Sequence, residues 1–148
     1  MVLELKSSNK MKFILRVLFL CLFTLGYASA NEYADIRIIK LKKDEQKKIL
    51  VKYGASQKLF KFRWTLFTNG GLVVFRSYDR IVAQNVLYLR HRNQSFRVEL
   101  KTKGADFYNV PYILVKFKEF NYETNEASFE IFLSDRKSQV SLEYLENS

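Results

Sequence analysis

Cysteine and histidine are almost absent from this sequence, and each absence excludes a class of protein. The 148 residues contain one cysteine, one histidine and one proline. A disulfide framework needs pairs of cysteines, and a zinc centre usually takes several Cys or His ligands, so neither is expected. Covalent catalysis likewise lacks the usual members of a nucleophile–base pair. The sequence therefore predicts a domain that its apolar core alone holds together.

Motifs that bind phosphate or calcium are missing as well. The glycines form no phosphate-binding loop, and no Asp-x-Asp-x-Asp-Gly loop is present. His91 lies near Ser95, but no Gly-x-Ser-x-Gly elbow surrounds that serine. Glu99, Glu119 and Glu130 occupy positions that we expect to face outward. We therefore expect no enzyme, no cofactor and no metal site; a carboxylate-dependent hydrolase is the least favoured alternative, because carboxylate pairs form in space rather than in sequence.

The strongest local pattern concerns the destination of the protein rather than its fold. Lys12 and Arg16 precede an apolar run at Val17–Tyr27, and Ala28 and Ala30 then give a small-x-small pattern. This order of basic, apolar and small residues is typical of a cleavable signal peptide. The apolar run is shorter than the roughly 20 residues of a membrane-spanning helix. We therefore expect export and cleavage rather than anchoring in the membrane.

Cleavage at that point divides the chain into a signal peptide at residues 1–30 and a single domain at residues 31–148. The signal takes with it Cys21, four basic residues and one acidic residue, which leaves 21 basic and 14 acidic residues and a net charge of +7. Residues 1–10 either extend the basic start of the signal or are a mis-called start ahead of Met11. A short signal, the absence of disulfides and the heavy use of Lys, Asn, Ile and Phe predict the bacterial periplasm as the location, with secretion as the alternative.

Alternation of apolar and polar residues runs through most of residues 31–148. Its clearest example predicts a strand with Phe60, Phe62, Trp64 and Leu66 on one face and Lys61, Arg63 and Thr65 on the other. Asn69-Gly70 follows and favours a tight hairpin, since both central positions of such a turn need a positive φ. About eight strands with no helical period predict a single antiparallel β-sandwich, with a closed β-barrel as the alternative.

A second predicted hairpin gathers several arginines. Residues 86–90 and 96–100 alternate on either side of a polar turn near Arg92, which places Arg90 and Arg97 on neighbouring strands. The planar donor fork of arginine suits carboxylate and phosphate groups. Arg90, Arg92 and Arg97 are therefore the candidate contacts with a protein or an anionic surface. Two further basic strips are Lys61 with Arg63, and Lys116 with Lys118.

Phe62 and Trp64 support a second hypothesis. In a packed sandwich these side chains belong to the core, whereas in a hollow barrel they line a cavity for an apolar ligand. Because aromatic and charged residues face opposite ways, they cannot act together on single-stranded nucleic acid, and no nucleic-acid partner is expected. The main expectation is an exported, non-catalytic module that binds an envelope protein or an anionic envelope surface, without a transmembrane span in residues 31–148. The alternative is a small carrier of an apolar ligand.

Overall fold

Two antiparallel β-sheets pack face to face in the computed structural model, which describes residues 33–100 and 109–147. The predicted signal peptide, with its cleavage residues Ala28 and Ala30, lies outside the described residues. The strands of the described part are β1 (Asp35–Lys42), β2 (Lys47–Tyr53), β3 (Ser56–Thr68), β4 (Gly71–Tyr78), β5 (Ile81–Tyr88), β6 (Ser95–Glu99), β7 (Tyr112–Asn121), β8 (Glu126–Ser134) and β9 (Val140–Tyr144).

The sheets are separate and unclosed. One has four strands in the order β1-β8-β7-β6, and the other has five strands in the order β5-β4-β3-β2-β9. Every strand pair is antiparallel. The predicted β-sandwich is therefore confirmed, and the alternative of a closed barrel is not adopted by the described residues.

Aromatic side chains from both sheets form much of the core. Phe60, Phe62 and Trp64 of β3 are almost completely buried, as the alternation predicts. The ring of Phe62 meets Phe129 of β8 and Phe96 of β6 edge to face, with centroids 5.3 and 6.3 Å away. Such edge-to-face pairs add to the free energy gained from burying apolar area. The aromatic face of β3 therefore joins the five-stranded sheet to the four-stranded one.

A β-bulge interrupts β3 between Trp64 and Leu66. An extra residue in one strand reverses the direction in which the following side chains point. Leu66 is consequently 49% exposed, while Phe67 packs against the core and stacks on Phe120 with ring centroids 4.1 Å apart. The prediction that Leu66 shares the face of Trp64 is therefore wrong, because strict alternation takes no account of an inserted residue.

The predicted hairpin at Asn69-Gly70 is confirmed. It joins β3 to β4, and its two central residues have φ values of 50° and 73°. A second two-residue turn at Asp79 and Arg80, again with positive φ at both positions, joins β4 to β5. Turns of this kind match the right-handed twist of the strands that they connect. Strands β3, β4 and β5 therefore form a meander at one side of the five-stranded sheet.

The predicted hairpin between β5 and β6 is wrong. β5 pairs only with β4, whereas β6 pairs with β7 at the edge of the other sheet. Arg90 has a φ of 57° and a 3-10 turn at Arg92–Gln94 follows, so the chain crosses from one sheet to the other. The buried side chains of Phe96 and Val98 explain the crossing, because they complete the core from the four-stranded sheet. Alternation identified both segments as strands but not the partner of each.

Candidate binding face and inter-sheet cleft

The three arginines selected from the sequence lie on different elements. Arg90 lies in the loop after β5 and Arg92 begins the 3-10 turn, and both are exposed. Arg97 lies on the outward side of β6, where its guanidinium carbon is 3.8 Å from the centroid of the Tyr112 ring. The predicted placement of Arg90 and Arg97 on neighbouring strands is therefore wrong. No carboxylate of the described residues forms an ion pair with any of the three, and their role as contacts with a partner stays a prediction.

Phe62 and Trp64, the predicted lining of an apolar cavity, are each 1% exposed. The indole Nε1 of Trp64 donates a hydrogen bond of 2.8 Å to the carbonyl oxygen of Leu41. Trp64 also borders a cleft of about 330 Å³, together with Phe120 and Tyr122. The contacts of Phe62 are with other aromatic rings of the core. The role of this pair as the lining of a ligand cavity stays a prediction.

Acidic residues of the four-stranded sheet lie at its surface. Glu119 accepts a hydrogen bond from the hydroxyl of Ser128 at 3.3 Å, and Glu130 forms an ion pair with Lys118 at 3.1 Å. Within residues 33–100 and 109–147, no three Asp, Glu, His or Cys side chains come together as a metal-binding group. The same residues include no helix of the length and apolarity needed to span a bilayer.

The outer face of the five-stranded sheet combines cations with exposed apolar side chains. The outward positions of β2, β3, β4 and β5 follow from their alternation with buried residues and from the strand register. These outward positions hold no carboxylate. We define the basic–apolar face by Lys48, Leu50, Leu59, Lys61, Arg63, Leu66, Val73, Phe75, Val82, Val86 and Tyr88. Lys52 borders this face but forms an ion pair with Glu143 of β9 at 2.6 Å.

Several apolar members of this face are neighbours. Leu66, Val73 and Val86 lie side by side across β3, β4 and β5. In the adjoining row, Phe75 lies directly opposite Arg63. Monomeric soluble proteins rarely expose contiguous apolar area of this kind unless it contacts a protein, a ligand or a membrane. The basic–apolar face is therefore a candidate interaction surface.

Like charges oppose each other on the same face. Lys48 of β2 lies directly opposite Lys61 of β3, and Arg63 follows two residues along on the same side. Like charges at directly opposite positions destabilise a sheet, because their Cβ atoms are only about 5 Å apart. None of the three forms an ion pair with a described residue, whereas Lys58 pairs with Asp79 at 2.6 Å. The fold alone therefore gains nothing from this concentration of positive charge.

A cleft of about 350 Å³ lies between the β4–β5 hairpin of one sheet and β6 of the other, and Arg76 points into it. Arg76 occupies the inward phase of β4, in register with the buried Phe62. Its Nε donates a hydrogen bond of 2.9 Å to Asn85 Oδ1, and its guanidinium carbon lies 5.1 Å from the centroid of the Phe96 ring. Burial lowers the pKa of Arg76 from its usual value. The remaining lining residues are Tyr78, Asp79, Ile81, Arg97, Val98 and Glu99.

Sequence patterning did not single out Arg76, although a signal was present. Leu72, Val74 and Tyr78 are buried positions of β4, and Arg76 occupies the same phase between the last two. A charged residue among inward positions needs a partner, because the interior solvates charge poorly. The opposition of two lysines, by contrast, depends on the register of β2 against β3, which the sequence does not reveal.

We compared the chain with models of protein families, with curated proteins and with solved structures, and no match was found. The function of the protein is therefore inferred from the basic–apolar face and the inter-sheet cleft.

Proposed function

We propose that this chain is an exported, non-catalytic module that binds an anionic lipid surface of the cell envelope through its basic–apolar face. The observation that supports the proposal most directly is Lys48 opposite Lys61, with Arg63 beside them and no described carboxylate paired with any of the three. Phosphate groups that approach this face relieve the repulsion between the lysines. A signal peptide at residues 1–30 would deliver the domain to the periplasm.

The apolar residues of the face favour a lipid surface over a soluble polyanion. Leu66 is 49% exposed and Val82 is 73% exposed, so both are available to a partner. Cations near an anionic membrane surface contribute about 1 kcal/mol each, and apolar side chains bury their area at the boundary of headgroups and acyl chains. Three adjacent strands present these side chains, so one planar surface can contact them together.

Binding to vesicles tests the proposal. We expect the purified protein to co-sediment with phosphatidylglycerol vesicles and only weakly with phosphatidylcholine vesicles. The K61Q/R63Q variant should have a partition coefficient about 30-fold lower, since it loses two cations at about 1 kcal/mol each. Added salt should weaken the binding, because the charges on this face are exposed to solvent.

The matched control is the K116Q/K118Q variant, which removes the same charge from β7 in the other sheet. It should bind phosphatidylglycerol vesicles nearly as well as the unmodified chain. An equal loss in both variants would mean that net charge, rather than this face, governs binding. Equal binding to both kinds of vesicle would exclude recognition of the anionic headgroup. Capture of an acidic envelope protein by a chain that ignores both vesicles would replace the lipid with a protein partner.

A further inference from the structure

Arg76 is an inward-facing cation that has no counter-ion among the described residues. The contacts of its guanidinium group are with the neutral amide of Asn85 and with the Phe96 ring. Burial is the cause of the lowered pKa of Arg76. Arg76 is partly buried, and a cation that is partly removed from water gains from an anionic partner. Arg76 therefore fits a position that a ligand completes.

The two carboxylates at the rim of the cleft do not neutralise Arg76. Asp79 lies 2.6 Å from the Nζ atom of Lys58 and forms its ion pair there. Glu99 is exposed on the outward side of β6, and it takes part in another interaction. A ligand that enters from this rim would therefore meet the inward-facing guanidinium group of Arg76, with the exposed Arg97 also lining the cleft.

Apolar side chains also line the cleft. Ile81 lies in the inward phase at the start of β5, directly opposite Tyr78, yet 68% of it is exposed. Val98 reaches the cleft from β6 and is otherwise part of the core. A volume of about 350 Å³ lies within the range of small-molecule sites. The cleft thus joins the guanidinium group of Arg76 to apolar side chains, and Arg97 is a second cation among its lining residues.

We propose that this cleft binds a small amphipathic anion, with a carboxylate or phosphate head at the guanidinium group of Arg76 and an apolar part against Ile81 and Val98. The planar fork of arginine donates two parallel hydrogen bonds to either head group. This site uses other residues than the basic–apolar face, so it does not depend on the function proposed above. A free carboxylic acid and a fragment of a phospholipid share this chemistry, and the choice of probe distinguishes them.

Titration followed by NMR of the ¹⁵N-labelled protein tests the proposal with three probes that share one chain length: octanoate, octyl phosphate and 1-octanol. We expect the Arg76 Nε–H signal and the backbone amide signals of Ile81 and Val98 to shift with at least one of the two anions. A stronger response to octanoate identifies a carboxylate ligand, and a stronger response to octyl phosphate identifies a phosphate ligand. The neutral alcohol should bind at least about tenfold more weakly, because it makes no charged hydrogen bond.

Substitutions at Arg76 separate a binding role from a structural one. Arg76→Met should weaken anion binding about tenfold or more and change the melting temperature little, because removal of a partly buried cation without a counter-ion offsets the lost hydrogen bond to Asn85. Arg76→Lys keeps the charge but loses the planar fork, and it should bind with intermediate affinity. The matched control is Arg136→Met, which removes an exposed arginine from the loop between β8 and β9 and should bind like the unmodified chain.

Several outcomes would overturn the proposal. These are equal affinity for octanol and both anions, unchanged affinity in the Arg76→Met variant, and signal shifts confined to the basic–apolar face. If Arg76→Met fails to fold, unchanged affinity in the Arg76→Lys variant would overturn it instead. The K61Q/R63Q variant distinguishes this site from the proposed lipid-binding face, because it should lose vesicle binding while binding the small anion normally.

Discussion

At the scale of single residues, two tyrosines connect the stability of the fold to alkaline pH. Burial, together with the charge of Asp79, raises the pKa of Tyr78 to about 12 from a usual value of 10.0. Burial also raises the pKa of Tyr144, and the charge of Asp35 and a 3.2 Å hydrogen bond from the Tyr144 hydroxyl to Asp35 act in the same direction. Both hydroxyls therefore keep their protons more firmly in the folded chain than in the unfolded chain.

We expect the free energy of unfolding to fall as the pH rises from 10 to 12. In this interval the unfolded tyrosines lose protons that the folded chain retains, so a rising pH favours the unfolded state. Urea denaturation at a series of pH values measures the slope, and the Y78F/Y144F variant should flatten it. Tyr122→Phe, which removes a hydroxyl from a side chain 78% exposed, is the control that should leave the slope unchanged. An equal slope in the unmodified chain and the Y78F/Y144F variant would contradict the expectation.

At the scale of elements, the four strands at the sheet edges differ in how they are protected. β1 carries four charged residues, and β6 and β9 are five residues long. β5 has eight residues and no charged side chain. Natural proteins usually keep edge strands short, charged or covered, because an open edge offers unpaired backbone groups to another chain. β5 is thus the edge most open to pairing with a second copy.

We expect the protein to self-associate through β5 at high concentration. Antiparallel pairing of two β5 strands about Gln84 places Val82 opposite Val86 of the other copy and keeps the outward side chains on one face. Gln84→Lys introduces a charge at the middle of the edge and should suppress the association. Gln57→Lys, on the exposed start of β3, is the control. Sedimentation velocity over a range of concentrations measures the effect; an equal response in the two variants would assign association to another surface.

Features that depend on neighbours in the chain could be predicted from the sequence, whereas features that depend on distant residues could not. The aromatic face of β3 and the Asn69-Gly70 turn depend on neighbours in the chain, and both were predicted correctly. The exposure of Leu66 depends on a bulge in β3. The position of Phe96 in the four-stranded sheet depends on which distant strands bury its side chain. Period-2 alternation reports neither of these. For the candidate sites, the strip of Lys61 and Arg63 was visible in sequence, but its opposition to a further lysine required the strand register.

At the scale of the whole molecule, the two sheets carry charge differently. On the four-stranded sheet cations meet carboxylates: Lys116 lies opposite Glu130, which also pairs with Lys118. On the outward positions of β2 to β5 no carboxylate is present, and an excess of positive charge remains. The domain therefore has one electrostatically balanced side and one unbalanced side. We expect this asymmetry to orient the domain towards the anionic surface proposed above.

The opposed lysines of the basic–apolar face have a consequence for heat resistance. Screening weakens repulsion between exposed charges, so added sodium chloride should raise the melting temperature of the free protein while it weakens the complex with anionic vesicles. Saturating phosphatidylglycerol vesicles should also raise the melting temperature, because a partner that binds only the folded state stabilises that state. Lys61→Gln should raise the melting temperature in low salt and reduce its dependence on salt; a lower value in calorimetry would contradict this account. Thermal stability would then report whether the partner is bound.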